Sequence, residues 1–173
     1  MNGGTIELEG LDRVLANFER ISPEVAAAAT KGLSRGGMYI IADAQRNLRT
    51  AGHNGGTVNN TGQLSNSGRT QVLDNGEVEC GFFSQSGEGY AAYVEYGTRS
   101  HWPPVAPLRA WARKKLRVSE DRVKSVAFLV ARKIARRGTS PHPFFQPAVE
   151  KNKKRVVDAV NEAVAAVTSK DIR

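Results

Sequence analysis

Apolar residues near the start of the chain change from an alternating to a helical spacing. Residues 5–9 alternate Ile6 and Leu8 with polar neighbours, which predicts a short edge strand. Residues 11–20 then repeat apolar positions every three or four residues, which predicts an amphipathic helix. Two short elements should therefore precede the first long one.

A long helix is predicted next, from Pro23 to about Leu48. Ser22 can serve as its N-cap, Pro23 suits the first helical position, and Glu24 complements the positive end of the helix dipole. One face consists mostly of small residues, although each glycine in a helix costs about 1 kcal/mol. The members of this face are Val25, Ala28, Ala29, Gly32, Gly36, Ile40, Ala44 and Leu48. The stripe indicates close approach of another backbone, either within the subunit, which we favour, or from a neighbouring subunit.

The segment 50–67 interrupts this pattern, because it holds four glycines, four asparagines and almost no apolar residue. Such a composition buries too little apolar surface to offset the entropy lost on ordering. We therefore predict a flexible loop, which an assembly protein could order on docking.

A hairpin is predicted around Asp74–Gly76, which separates two short runs of strand-forming residues. A two-residue turn would place Val72 opposite Glu79, whereas a three-residue loop with Gly76 left-handed places Val72 opposite Val78. We prefer the second register, because a slip of one residue reverses every side chain. It gathers four side chains on one face of the sheet: Val72, Val78, Cys80 and Phe82.

Helices dominate the second half of the chain. The run 90–96 could be a strand or a helix, and its two alanines favour a helix. Prolines before residue 108 indicate the start of a helix that reaches Leu116, and another helix is framed by Ser119 and Gly138. A final amphipathic helix should begin at Pro147.

These elements predict an α+β fold in one domain, 1–173, with a small, largely antiparallel sheet packed by the long N-terminal helix and the C-terminal helices. The hydrophobic fraction of 40% and the charged fraction of 24% are globular values. We expect Cys80 to be a small buried hydrophobe. Without a signal peptide or an apolar run long enough to span a bilayer, the expected location is a cytoplasm, with no membrane contact.

The positive charge is concentrated in one segment. The chain carries a formal charge of +8, yet residues 105–137 contain eleven basic and two acidic residues, a charge of +9 that leaves −1 for the rest. The basic helices occupy an insertion at 99–140. A local field of this kind can steer an acidic protein surface or DNA, and we favour the protein surface. The candidate contact residues are Arg113, Lys114, Lys115, Arg132, Lys133, Arg136 and Arg137.

The sequence contains few residues in arrangements that could support catalysis. None of His53, His101 and His142 has a metal-binding spacing, and the glycines near residue 55 lack the Lys-Ser/Thr of a phosphate loop. Glu95 lies within an otherwise apolar run, where a carboxylate is costly unless it is paired. We expect an arginine partner for it, from the same or the next subunit. The expectation is therefore no enzyme, no cofactor and no metal.

Two motifs in order along the chain resemble the signature of a bacteriophage family. The first is Tyr90–Thr98, with Tyr93, Glu95, Tyr96, Gly97 and Thr98 as its members, and the second is Pro143–Ala148, with Pro143, Phe144, Phe145 and Pro147. The segments 61–67, 102–104, 111–115 and 131–139 are similar to other parts of the same family. It comprises the tail-completion or head–tail joining (neck) proteins of tailed phages, distantly similar to minor tail protein Z.

The resemblance implies a virion protein without catalytic residues that forms a ring, sixfold by expectation, between the head connector and the tail tube. Double-stranded DNA would pass through the lumen without specific binding, and assembly would occur in the host cytoplasm. The two motifs should lie close in space, as packing motifs or as an interface. A DNA-binding accessory protein using the 105–137 helices is the alternative, whereas the spacing does not support a hydrolase or toxin.

A ring requires complementary patches on opposite sides of each subunit. The basic segment and the hairpin acids Asp74, Glu77 and Glu79 are candidate complements. We place the basic segment outside the lumen, because a positive lumen would retard sliding DNA.

Overall fold

The computed structural model describes residues 23–50, 62–83 and 89–169, together with most of their side chains. Six helices and two strands occur in these ranges. They are α1 (Pro23–Thr50), α2 (Gln63–Asn66), β1 (Gly68–Val72), β2 (Val78–Phe82), α3 (Tyr90–Tyr96), α4 (Val105–Leu116), α5 (Glu120–Arg137) and α6 (Gln146–Thr168). The α+β class is confirmed, with a two-stranded antiparallel sheet. The strand predicted at 5–9 and the helix at 11–20 lie outside the described residues.

The body of the fold is an antiparallel pair of helices, α1 and α6. All eight residues of the predicted small-residue stripe are buried in α1. A Cβ atom added at Gly32 would lie 2.6 Å from the Cα of Val160, and one at Gly36 would lie 2.9 Å from the Val156 side chain. The close partner of the stripe is therefore α6 of the same subunit, as favoured from the sequence.

A buried polar cluster links the C-terminal part of α1 to the N-terminal part of α6. Asp43 is 3% exposed, and its Oδ2 accepts a hydrogen bond of 2.8 Å from the amide of Asn152, which is fully buried. Arg46 and Lys151 form ion pairs with the Asp43 carboxylate at 2.6 and 3.2 Å. The hydrogen bond from Asn152 lowers the pKa of Asp43 below its ordinary value, against the opposing effect of burial, and the two cations add to the lowering.

Replacing Asp43 with asparagine should therefore make the free energy of unfolding depend less on pH under acidic conditions. Because the folded-state pKa is depressed, the carboxylate contributes stability above about pH 4 that is lost as the pH falls through the folded pKa. We expect Asp43→Asn to cost about 1–2 kcal/mol at pH 7 and less at pH 3. Urea unfolding at both pH values measures this, with exposed Asp74→Asn as the control. An equal cost at both pH values would contradict it.

The hairpin packs on the other side of α1 in the predicted register. Val72 pairs with Val78 and Thr70 pairs with Cys80, and Gly76 has φ +84°. Phe82 and Cys80 pack against the main core, which is formed by Ile40, Ala44, Leu48, Leu64, Val94, Phe144, Ala148 and Val149. Burial raises the pKa of the Cys80 thiol. Val72, by contrast, is 52% exposed, so the apolar face predicted for the sheet is covered only in part.

The loop predicted at 50–67 is shorter than its composition indicated. Thr50 still belongs to α1, and residues 63–66 form the short helix α2. Leu64 and Ser65 are buried, and the Gln45 side chain donates a hydrogen bond to the Ser65 carbonyl. Leu64 is part of the main core, and its packing together with this hydrogen bond orders this end of the segment. Residues 51–61 lie outside the described residues.

A helical hairpin, residues 105–137, projects from this body, and we call it the arm. Its helices α4 and α5 pack chiefly against each other, with Ala112, Val123, Ala127 and Ala131 buried between them. Gly138 ends α5 at φ +68°, as predicted, whereas Ser119 occupies the N-cap position without a side-chain capping bond. The arm coincides with the basic segment found in the sequence.

In the ranges that the structure describes, no helix is long and apolar enough to cross a membrane.

Candidate assembly interface

Glu95 joins the two family-like motifs. It lies on α3 and is 5% exposed. Its Oε2 accepts hydrogen bonds from the backbone N–H groups of Phe144 and Phe145 at 2.8 and 2.9 Å, and its Oε1 accepts one from Gln146 at 3.0 Å. The carboxylate therefore caps the N-terminus of α6 from a distant part of the chain.

This arrangement explains how a carboxylate can occupy an apolar run. The first N–H groups of a helix have no partner within the helix, and the helix dipole favours negative charge at that end. Backbone donors thus take the place of the arginine that we expected as the partner of Glu95, so that expectation is wrong for the described residues. The role of the Glu95 carboxylate is therefore structural, because it connects α3 to the start of α6.

The motif residues divide into a buried and an exposed group. Phe144 is buried, and its ring meets Phe82 edge-on at 5.1 Å between centroids, while Phe145 meets the same ring at 6.0 Å. Tyr93 and Tyr96 are 58% and 59% exposed, and Pro143 and Pro147 are exposed as well. The buried residues hold the fold together, and the exposed ones are available to a partner.

The base of the arm is closed by a pair of backbone hydrogen bonds, which we call the staple. Thr98 and Thr139 exchange N–H to carbonyl bonds, both 3.2 Å long, and their hydroxyl oxygens lie 3.0 Å apart. Gly97 and Gly138 flank the staple with positive φ angles. A Cβ at Gly138 would come within 1.9 Å of the Thr98 carbonyl oxygen. Glycine is therefore required where the two chain segments converge.

Changing Gly138 to alanine should open the base of the arm without unfolding the body. Alanine at this left-handed φ costs about 1–2 kcal/mol, and its Cβ displaces the Thr98 carbonyl. We expect faster tryptic cleavage of the arm, which is rich in lysine and arginine, with an unchanged midpoint for the body. Gly76→Ala in the hairpin turn is the matched control, since it also has positive φ but its added Cβ meets no atom closer than the Thr30 hydroxyl oxygen at 4.0 Å. Cleavage of Gly138→Ala at the wild-type rate would contradict the role of the staple.

The predicted basic contact residues lie on the arm, and they differ in availability. Arg113 makes two bonds to Glu120 across the arm, at 2.5 and 2.8 Å, and this contact lowers the pKa of Glu120. Lys114, Arg132, Lys133, Arg136 and Arg137 are exposed and have no acidic partner in the described chain. The side chain of Lys115 lies outside the described part. The exposed cations without an acidic partner are thus concentrated near the C-terminal end of α5.

The three acidic residues of the hairpin also differ in their exposure. Asp74 and Glu77 are exposed at the turn, whereas Glu79 is half-buried and accepts a hydrogen bond of 2.6 Å from Gln71. Thr30 of α1 donates to the Gly76 carbonyl, which holds the turn against the helix. Two of the three predicted acids are therefore available for contact.

Among the described residues, no group of three or more His, Cys, Asp or Glu side chains lies close enough together to hold a metal ion. The exposed ring of His101 lies 3.0 Å from the Arg99 carbonyl, and the His142 backbone N–H donates to the Val94 carbonyl. His53 lies outside the described residues. The surface offers contact residues for a macromolecule.

The fold and its surface define a small α+β subunit with a capped helix pair and a projecting basic arm. Residues 12–97 match the family described as "Bacteriophage HK97-gp10, putative tail-component". The chain belongs to this family and is a structural component of the phage tail, located in the virion in contact with other phage structural proteins. The match spans about half of the chain, including α1, the hairpin and Glu95, and ends before the arm. No curated protein and no solved structure matches the chain significantly.

Proposed function

We propose that this chain is a non-enzymatic neck or tail-completion subunit that forms a closed ring, a hexamer in our proposal, between the head connector and the tail tube. The observation that carries the proposal is the arm, which extends from a body of the tail-component family. It exposes the cations near the end of α5 without an acidic partner in the described subunit. A projecting charged element of this kind supports assembly, since it offers a surface that an oppositely charged partner can complement.

In this proposal the ring surrounds double-stranded DNA without specific binding, and the subunits meet in the host cytoplasm before they enter the virion. The buried Glu95 bond and the close helix pair support a rigid body, which a ring needs to close at a defined angle. The arm faces a neighbouring protein outside the lumen.

Electron microscopy and light scattering of the purified protein, alone and mixed with its tail tubes, test the proposal. We expect rings, or subunits that close into a ring only at one end of a tube. A protein that stays monomeric and leaves both tube ends bare would refute it.

A second candidate is an accessory protein that binds duplex DNA through the arm. The exposed arginines of α5 and the exposed Trp102, whose ring meets Phe128 at 5.8 Å, favour it. Affinity for duplex DNA that falls steeply with salt, without any assembly on tail tubes, would identify this function instead.

A further inference from the structure

The described surface carries two mixed patches of opposite charge. The arm patch lies on one exposed face of α5 and consists of Phe128, Leu129, Arg132, Lys133 and Arg136. Leu129, Arg132, Lys133 and Arg136 follow the spacing i, i+3, i+4 and i+7, so they share one side of the helix. Phe128 and Leu129 are 50% and 60% exposed. The arm patch is therefore apolar at one end and strongly basic at the other.

The tip patch lies at the turn of the β hairpin and consists of Val72, Leu73, Asp74 and Glu77, all exposed. Most other acids on the described surface have a partner within the subunit, because Glu120, Glu150, Asp158 and Glu162 form ion pairs. Asp74 and Glu77 form no ion pair in the described chain, and exposed apolar residues flank them. The tip patch is thus apolar and acidic, which complements the arm patch.

The elements that carry the two patches are anchored near opposite ends of α1. The hairpin turn is held at Thr30, whereas the base of the arm adjoins Phe144, whose carbonyl accepts a hydrogen bond from Asn47. The 17 positions from Thr30 to Asn47 on α1 correspond to about 25 Å of helix. In the described chain, no hydrogen bond or ion pair joins the arm to the hairpin. A subunit in this conformation leaves its own patches apart.

From this geometry we propose that the arm patch of one subunit docks on the tip patch of the next copy of the same chain. Complementary patches at two different sites of one subunit give a head-to-tail contact, which propagates around a ring and closes when the rotation permits. Leu129 and Phe128 meet Val72 and Leu73, while Arg132 and Arg136 meet Asp74 and Glu77. The contact deepens the proposed ring function and rests on it.

Charge reversal on each patch, separately and together, tests this contact. We expect Arg132→Glu/Arg136→Glu to reduce ring assembly about tenfold or more, and Asp74→Arg/Glu77→Arg to do the same, because like charges then face each other. The combined variant should regain most of the wild-type assembly. Lys153→Glu/Lys154→Glu, on the exposed face of α6, changes the net charge as much as the arm reversal and should have little effect. Circular dichroism confirms that each variant is folded.

Cysteine cross-linking provides a second measurement that does not depend on charge. With Cys80→Ser as background, Leu129→Cys together with Leu73→Cys should yield a ladder of covalent multimers under oxidation. Each single variant should stay monomeric, because its cysteine faces no other cysteine across the proposed contact. Wild-type rings without such a ladder would overturn the proposed contact.

The outcomes separate this inference from the ring function. If the wild type assembles while both reversals assemble equally well, or the combined variant fails to recover, the contact is refuted and the ring stands. If the wild type does not assemble at all, the ring and the contact fall together. Loss of duplex DNA binding in the arm reversal, with normal assembly of the tip reversal, would make DNA the partner and also refute the contact.

Discussion

Replacing Glu95 with alanine is expected to lower the free energy of unfolding by about 3–5 kcal/mol, because three backbone N–H groups at the start of α6 lose their acceptor. These donors lie in or beside the core around Phe144, so water replaces the carboxylate poorly. The loss also removes the link between α3 and α6. Urea or thermal unfolding followed by circular dichroism measures the change.

Glu95→Gln distinguishes the charge from the shape of the side chain. The amide keeps one acceptor oxygen but turns an N–H₂ group towards backbone donors, so we expect about half of the cost of alanine. Glu77→Gln on the exposed hairpin turn is the control and should change stability by less than about 0.5 kcal/mol. If Glu95→Ala unfolds at the same denaturant concentration as the wild type, the bond from Glu95 to α6 has no structural importance.

Replacing Gly32 with alanine is expected to destabilise the body by about 2–3 kcal/mol, although alanine is the better helix former by about 1 kcal/mol. The added Cβ would lie 2.6 Å from the Val160 Cα and 2.8 Å from the Ala159 carbonyl oxygen. Both are backbone atoms of α6, which cannot rotate away as a side chain can. The two helices would have to separate and lose packing along their length. Chemical denaturation measures the loss.

Two variants on the same helix set the scale for Gly32. Ala27→Gly, at an exposed position, reports the propensity cost alone and should destabilise by about 1 kcal/mol. Gly36→Ala should cost less than Gly32→Ala, because the nearest atoms to its Cβ belong to the Val156 side chain. A stabilised Gly32→Ala would mean that α1 and α6 can move apart freely.

The family motifs were visible in the sequence, but the bond that makes them a pair was not. Glu95 and Gln146 are separated by 51 positions, and the run around Glu95 contains only the usual signs of a half-buried carboxylate. The carboxylate led us to expect an arginine partner, because a sequence shows its charged side chains directly. It does not show which backbone N–H groups lack a hydrogen-bond acceptor. A proline-containing start of a helix after the motif was the signal that could have indicated such donors.

The sequence likewise did not show which charged side chains are paired within the subunit and which can contact a partner. Eleven basic residues in 105–137 predicted that this segment is a basic surface. In the structure Arg113 pairs with Glu120 within the arm, whereas Arg132 and Arg136 have no acidic partner in the described chain. Asp74, Glu77 and Glu79 looked equivalent, but Glu79 is turned towards Gln71. Pairing depends on distances of a few ångströms across the surface, which spacing along the chain does not specify.

Local patterns predicted the long helix from Pro23 and the end of α5 at Gly138, and they favoured the observed register of the hairpin around Gly76 and a helix at 90–96. Each of these follows from propensity, capping or the period of apolar residues, which act between near neighbours. Tertiary structure decided which backbone lies against the glycines of α1, that Leu64 orders one end of a polar segment, and that Glu95 caps α6. These features depend on contacts between distant parts of the chain, and only the packed fold specifies them.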